Sequence, residues 1–279
     1  MSRFRTAMDS ETGGEENLKK TVRFLEECYK KKASIEDSPY TMSVASKDKR
    51  KLRRQQQERE ANTRGMDLVP FYGKTDRQDD LWDCITENIV SIAIGPAGTG
   101  KTLVSLWWGM THLTQNYYEK IYYVRSDVGC AYQRGRGALP GSMEEKMAPL
   151  VMPLHDNLAV MMRSKGAAEY LMNKKVIEPI LLEDVRGRSF NNAVIIFDEA
   201  QNATAEQCKT VLSRVGEDSK VIITGDTRQI DLEAFTRNNG LLDAYHRLAG
   251  LDDVGRVQFT HGDIVRNSVI GKILQRYDD

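Results

Sequence analysis

Short apolar runs punctuate the chain from about Pro70 onward, at residues 90–94, 121–124, 194–197 and 221–224, with a weaker one at 256–259. They are rich in β-branched residues and do not alternate with polar positions, which predicts strands covered on both faces, as in a parallel sheet. Between them lie stretches with helical spacing, at 103–113, 144–162 and 205–215. Strand and helix in alternation imply an α/β architecture with a mainly parallel, doubly wound sheet. Four glycines, Gly129, Gly135, Gly137 and Gly141, make residues 125–141 a long loop.

Residues 1–65 read differently. A polar, glycine-containing opening gives way to one amphipathic face, Leu18, Val22, Leu25 and Tyr29, with Glu15 and Glu16 before it and Lys30–Lys32 after it. That charge placement suits the helix dipole. Residues 47–64 then carry eight basic and three acidic side chains with almost no apolar face, as a solvated helix or a flexible arm would. The expected division is an N-terminal extension, 1–65, helical or partly disordered, and an α/β domain, 66–279.

Composition adds little to this picture. Lys+Arg and Asp+Glu number 40 each, so net charge argues neither for nor against a nucleic-acid partner, and any polyanion contact through charge would start at 47–64. Cys28, Cys84, Cys130 and Cys208 are scattered, and His112, His155, His246 and His261 show no ligand spacing, so neither a disulfide framework nor a zinc site is suggested. No apolar run approaches membrane length. The expectation is a cytoplasmic protein with no membrane association.

Chemistry enters at three strand ends. Gly95-Pro96-Ala97-Gly98-Thr99-Gly100-Lys101-Thr102 fits the phosphate-loop pattern, with an apolar strand before it and an apolar helix after it. Its glycines let backbone N–H groups turn toward a phosphate, Lys101 reaches the β- and γ-phosphates, and the Thr102 hydroxyl joins a Mg²⁺ shell. Asp198 and Glu199 end the second strand, Asp198 to hold Mg²⁺ and Glu199 to polarise the attacking water. A Glu directly after the Asp favours ATP hydrolysis over kinase-type transfer. The third strand ends in Thr224-Gly225-Asp226, followed by Gln229, whose amide can sense the γ-phosphate. Thr224 or Asp226 is expected to position water or couple to a nucleic-acid groove. Gln78, on a helix before the first strand, can pair with the adenine edge or simply be an exposed helical residue.

Taken together these residues resemble the PhoH-like family of ATPases. The resemblance runs from about Thr75 to Tyr277 and rests on the phosphate loop, Leu139-Pro-Gly141, Arg186-Gly-Arg188-Ser-Phe-Asn-Asn192, Phe197-Asp-Glu-Ala-Gln-Asn202, Thr224-Gly-Asp226 with Gln229-Ile-Asp231, and Asp263-Ile-Val-Arg266. The family is similar to the first lobe of superfamily-one helicases. The resemblance implies a RecA-like P-loop NTPase fold, ATPase activity, association with RNA or single-stranded nucleic acid, and assembly into homo-oligomeric, hexameric rings. With only 50 residues after Gln229, too few for a second lobe, the site is either open on one side or completed by a neighbour. Arg266 resembles the family's arginine near the chain end and is expected to be a finger supplied in trans, the alternative being a surface salt bridge with Asp263. Arg186 and Arg188 precede the second strand as an RNA-binding pair, a subunit contact or a plain loop. The chain departs from the family pattern in the Arg-rich stretch at 129–137 and in Thr227, where the family carries Pro. The expectation is a chain with no appended nuclease domain, so nuclease activity is not carried over. The alternative from another class is a nucleotide-dependent switch that assembles protein partners without moving nucleic acid.

Overall fold

The computed structural model describes residues 67–126, 143–163, 166–228 and 239–265. By contacts the chain falls into two units, Met1–Glu58 and Arg59–Asp279, and the description concerns the second. The N-terminal extension, the basic run at 47–64, nearly all of the Gly-rich loop, Leu139-Pro-Gly141, Gln229 and Arg266 lie outside the described residues.

Six parallel strands form one sheet: β1 (Val90–Ile94), β2 (Lys120–Arg125), β3 (Ile177–Leu181), β4 (Ala193–Phe197), β5 (Lys220–Gly225) and β6 (Val254–Gln258). Their spatial order is β3-β2-β4-β5-β1-β6. Every residue of β4 is buried. Val194 and Ile196 join one apolar cluster, while Ile195 and Phe197 join the other. Both faces of the sheet are therefore covered, which is why the strands lack alternation. The helices are α1 (Asp76–Glu87), α2 (Lys101–Thr114), α3 (Met143–Met161), α4 (Ala167–Asn173), α5 (Ala205–Leu212) and α6 (Gly240–Arg247). Residues of α1, α2, α3 and α4 pack into the first cluster, and residues of α5 and α6 into the second.

Local chemistry sets the element ends. Thr75 caps α1 by accepting the Gln78 N–H. At the other end Lys220 Nζ donates to the carbonyls of Ile85, Thr86 and Asn88 at 2.5, 2.8 and 2.7 Å. An ammonium here satisfies orphan carbonyls at the negative end of the helix dipole, and it pins β5 to α1. Thr204 and Gln207 form a reciprocal capping box on α5.

The expected strands appear, the last displaced to Val254–Gln258. Strand β3 and helices α4 and α6 lie outside the apolar runs and helical stretches of the sequence pattern. β3 lies at the sheet edge, where its Pro179 is tolerated because one side of the strand has no ladder partner to lose. Among the described residues no helix is long and apolar enough to cross a membrane.

Candidate active site

The loop joining β1 to α2 is built by backbone conformations that side chains oppose. Gly100 sits at φ 87°, and a Cβ there would fall 2.6 Å from Gln78 Nε2. Thr99, fully buried, donates its hydroxyl to Pro96 O at 3.0 Å. Lys101, only 8 % exposed, folds back across the loop and donates to the carbonyls of Gly95 and Pro96 at 2.7 and 2.8 Å. Burial lowers the pKa of this ammonium, while the carboxylates of Asp226, Glu199 and Asp198 act in the opposite direction. The cradle thus holds a cation against carbonyl oxygens that an anionic ligand would displace it from.

Strand β5 is inserted between β1 and β4, so the carboxylate-bearing strand end lies one strand away from the loop. Side chains span that gap. Asp198, 5 % exposed, accepts at Oδ1 from Thr102 Oγ1 at 2.7 Å and from Thr224 Oγ1 at 2.6 Å. Its Oδ2 accepts from Tyr123 Oη at 2.6 Å. Three hydroxyls from three different elements fix one carboxylate. The Thr102 hydroxyl and the Asp198 carboxylate are hard oxygen donors side by side, the donor set that suits Mg²⁺. Burial and the Asp198 charge push the Tyr123 hydroxyl well above the usual range, so it remains a donor at any working pH.

Glu199 follows with φ 54° and ψ 39°, a left-handed conformation in a residue with a Cβ. Such backbone costs on the order of 1–3 kcal/mol and is held only where the surroundings fix it. Its Oε2 accepts from Gln201 Nε2 at 2.6 Å, and Arg125 lies 3.7 Å from Oε1. Burial, and then the neighbouring Asp198 charge, raises the Glu199 pKa; Gln201, Arg125 and Lys101 oppose that rise. Asp226, after β5, accepts the Ala97 N–H at 2.9 Å through Oδ2. Ala97, Lys101, Thr102, Arg125, Asp198 and Glu199 all face one cleft of about 430 Å³.

The structure brings together Gly95 to Thr102, Asp198 and Glu199, as the spacing implied. Three other expectations change. Gln78 is 4 % exposed, and both ends of its amide are engaged, Nε2 with Thr99 O and Oε1 with Lys74 N, each at 2.9 Å. It braces the phosphate loop from behind and does not present a free edge to a base. Thr224 is fully buried against Asp198 and does not reach the cleft, whereas Asp226, bonded to the loop, lines the same cleft as Lys101 and Glu199. Arg188 stacks over Tyr122 and Phe190 and pairs with Glu178 at 3.0 Å, a packing role on the β2–β3 side of the sheet. Tyr123, Arg125 and Gln201 are site residues that the sequence reading passed over. Each acts on a group distant along the chain or hidden in a turn.

The model of the PhoH-like protein family matches residues 71–278. A PhoH-like protein of Mycobacterium tuberculosis (strain ATCC 25618 / H37Rv) is 38% identical over 217 residues, covering 76% of this chain and 60% of that protein. A PhoH-like protein of Bacillus subtilis (strain 168) is 37% identical over 205 residues, 74% of this chain and 63% of that protein. Protein PhoH of Escherichia coli (strain K12) is 34% identical over 215 residues, 76% and 59%. The chain spans about three fifths of the length of these curated relatives. Among solved structures, the large terminase of a thermophilic bacteriophage in complex with ADP superposes with a TM-score of 0.42 at 13% identity, over 74% of this chain and 49% of that one. The Pyrococcus furiosus Hef helicase domain gives 0.37 at 12% identity, over 65% and 37%. Likenesses this slight say nothing of the chemistry.

Proposed function

The chain belongs to the PhoH-like protein family, and on that premise we propose that it hydrolyses ATP in a Mg²⁺-dependent reaction coupled to binding or remodelling RNA or single-stranded nucleic acid. The observation that carries the hydrolytic part is the cleft where Lys101, the Thr102–Asp198 pair and Glu199 face one another. Lys101 leaves the Gly95 and Pro96 carbonyls for the β- and γ-phosphate oxygens, and loop N–H groups receive the remaining charge. Thr102 and Asp198 would hold Mg²⁺, which supplies charge neutralisation at the β- and γ-phosphoryl oxygens. Glu199 takes a proton from water as the water oxygen bonds to the γ-phosphorus. The bond from that phosphorus to the bridging oxygen breaks, leaving ADP and phosphate. Glu199 suits this role by its place, at the mouth of the cleft beside the Thr102–Asp198 pair.

The polymer and the assembly rest on the family resemblance and on charge. The resemblance to helicase first lobes favours a nucleic-acid partner, and the basic run at 47–64 suits phosphate contact. A homo-oligomeric ring, hexameric and with Arg266 as the finger in trans, is the arrangement that resemblance favours. Cytoplasmic location belongs to the same reading. Hydrolysis measured with and without single-stranded RNA and DNA, at two salt concentrations, tests it. Stimulation that weakens as salt rises is the expected result. Hydrolysis indifferent to both polymers would remove the nucleic-acid part and leave the protein-assembling switch.

A further inference from the structure

The reaction just described assigns nothing to Gln201, yet this side chain is 1 % exposed and committed at both ends of its amide. Nε2 donates to Glu199 Oε2 at 2.6 Å, and Oε1 accepts the Asp226 N–H at 3.0 Å. Its own carbonyl accepts from Asn239 Nδ2 at 3.1 Å, so its backbone is held as well. Residue 225 is a glycine packed against this amide, and a Cβ there would collide with Gln201 Oε1. Asp226, in turn, holds the Ala97 N–H of the phosphate loop. A continuous line of hydrogen bonds therefore runs from the Glu199 carboxylate, through one buried amide, to the loop where phosphates would sit.

We propose that Gln201 is a positioning residue for hydrolysis: through its bond to Glu199 Oε2 and its anchor on Asp226 N–H it sets where the Glu199 carboxylate stands relative to the phosphate loop. The left-handed backbone of Glu199 aims the side chain coarsely. On the far side Arg125 approaches Oε1 only at 3.7 Å, with 24 % of its side chain exposed, so it gives looser guidance. The shorter bond to Gln201, donated by a side chain held at both ends, is the one that fixes the angle. Nothing in this role requires Gln201 to touch nucleotide, and its loss acts on turnover, not on binding.

This inference rests on the hydrolytic reading above. The test uses the full chain with Gln201→Met, which keeps the length and removes both amide bonds. Misplacing a base by about 1 Å costs on the order of 10²-fold, so kcat is expected to fall roughly 10- to 100-fold while the Kd for ATP stays within about threefold. A double-mutant cycle supplies the readout a merely structural role would not give. In the Glu199→Gln background, Gln201→Met is expected to lower residual single-turnover hydrolysis no further. An undiminished kcat, a parallel loss of ATP affinity, or an equal loss in both backgrounds would each overturn the proposal. If Gln201→Met does not fold, Gln201→Asn is read by the same criteria, because it keeps a neutral amide that is one methylene too short to reach both Glu199 Oε2 and the Asp226 N–H. Absence of hydrolysis by the wild-type chain would overturn the hydrolytic reading and this one with it. Wild-type hydrolysis that Gln201→Met leaves intact would overturn this one alone.

Discussion

Tyr123→Phe removes a single oxygen from the interior and leaves the ring packing of β2 in place. That oxygen donates to Asp198 Oδ2 at 2.6 Å from a fully buried position. Hydrogen bonds to charged groups contribute roughly 1.5–3 kcal/mol, and the carboxylate oxygen left behind loses its hydroxyl partner. The expected loss of stability is therefore about 1.5–3 kcal/mol. For a domain of this size each kcal/mol moves the melting temperature by about 2–4 °C, giving a fall of roughly 3–12 °C. A water entering the vacated space would bring the loss toward the lower figure. Thr102 and Thr224 still hold Oδ1, so hydrolysis is expected to survive within several-fold. Thermal melts followed by circular dichroism, with turnover measured well below the transition, separate the two effects. A melting temperature indistinguishable from that of the wild type would refute the buried bond. Unchanged stability with turnover abolished would refute the assignment of Tyr123 to Asp198's support and make it a participant in the chemistry.

Three further outcomes are expected. Gly225→Ala drives a methyl group into Gln201 Oε1 and to 2.7 Å from Leu241 Cδ2; overpacking of this kind costs about 1–3 kcal/mol, and an unshifted melt would contradict the packing. Glu199→Gln is expected to bind ATP and cleave it only at a small residual rate, as read by nucleotide retention on a filter and by single-turnover hydrolysis, whereas normal turnover would remove Glu199 as the base. Mixing Arg266→Ala chains with Lys101→Ala chains is expected to restore part of the activity if the finger acts in trans, and no restoration at any ratio would remove the ring proposal's main chemical support.

What could be read from the sequence follows from the range over which each signal acts. Continuous apolar runs mark β1, β2, β4 and β5 because burial on both faces is a local property of composition. β3 escapes notice because Glu178 and Pro179 interrupt its apolar run, and only its place at the sheet edge makes them tolerable. α6 begins in Asn239-Gly240, a pair that reads as a turn. In the structure Asn239 accepts the Leu242 N–H and so starts a helix. The phosphate loop and the Asp198–Glu199 pair are contiguous in sequence and legible there. Their supports are not, because Tyr123 is 75 positions from Asp198 and Thr224 is 26. Gln78 stands out in the sequence, but on the wrong side of the loop. Its amide meets Thr99 O, 21 positions away, and only the fold shows which partner it takes.

The central claim is that the cleft hydrolyses ATP with Lys101 gripping the phosphates. The most direct test is phosphate release from ATP by the full chain, with and without Mg²⁺, beside Lys101→Ala confirmed as folded by its melt. The account predicts Mg²⁺-dependent release by the wild type and none above background for Lys101→Ala. Wild-type rates from the variant would contradict the account, and so would a folded wild-type chain that releases no phosphate under any of these conditions.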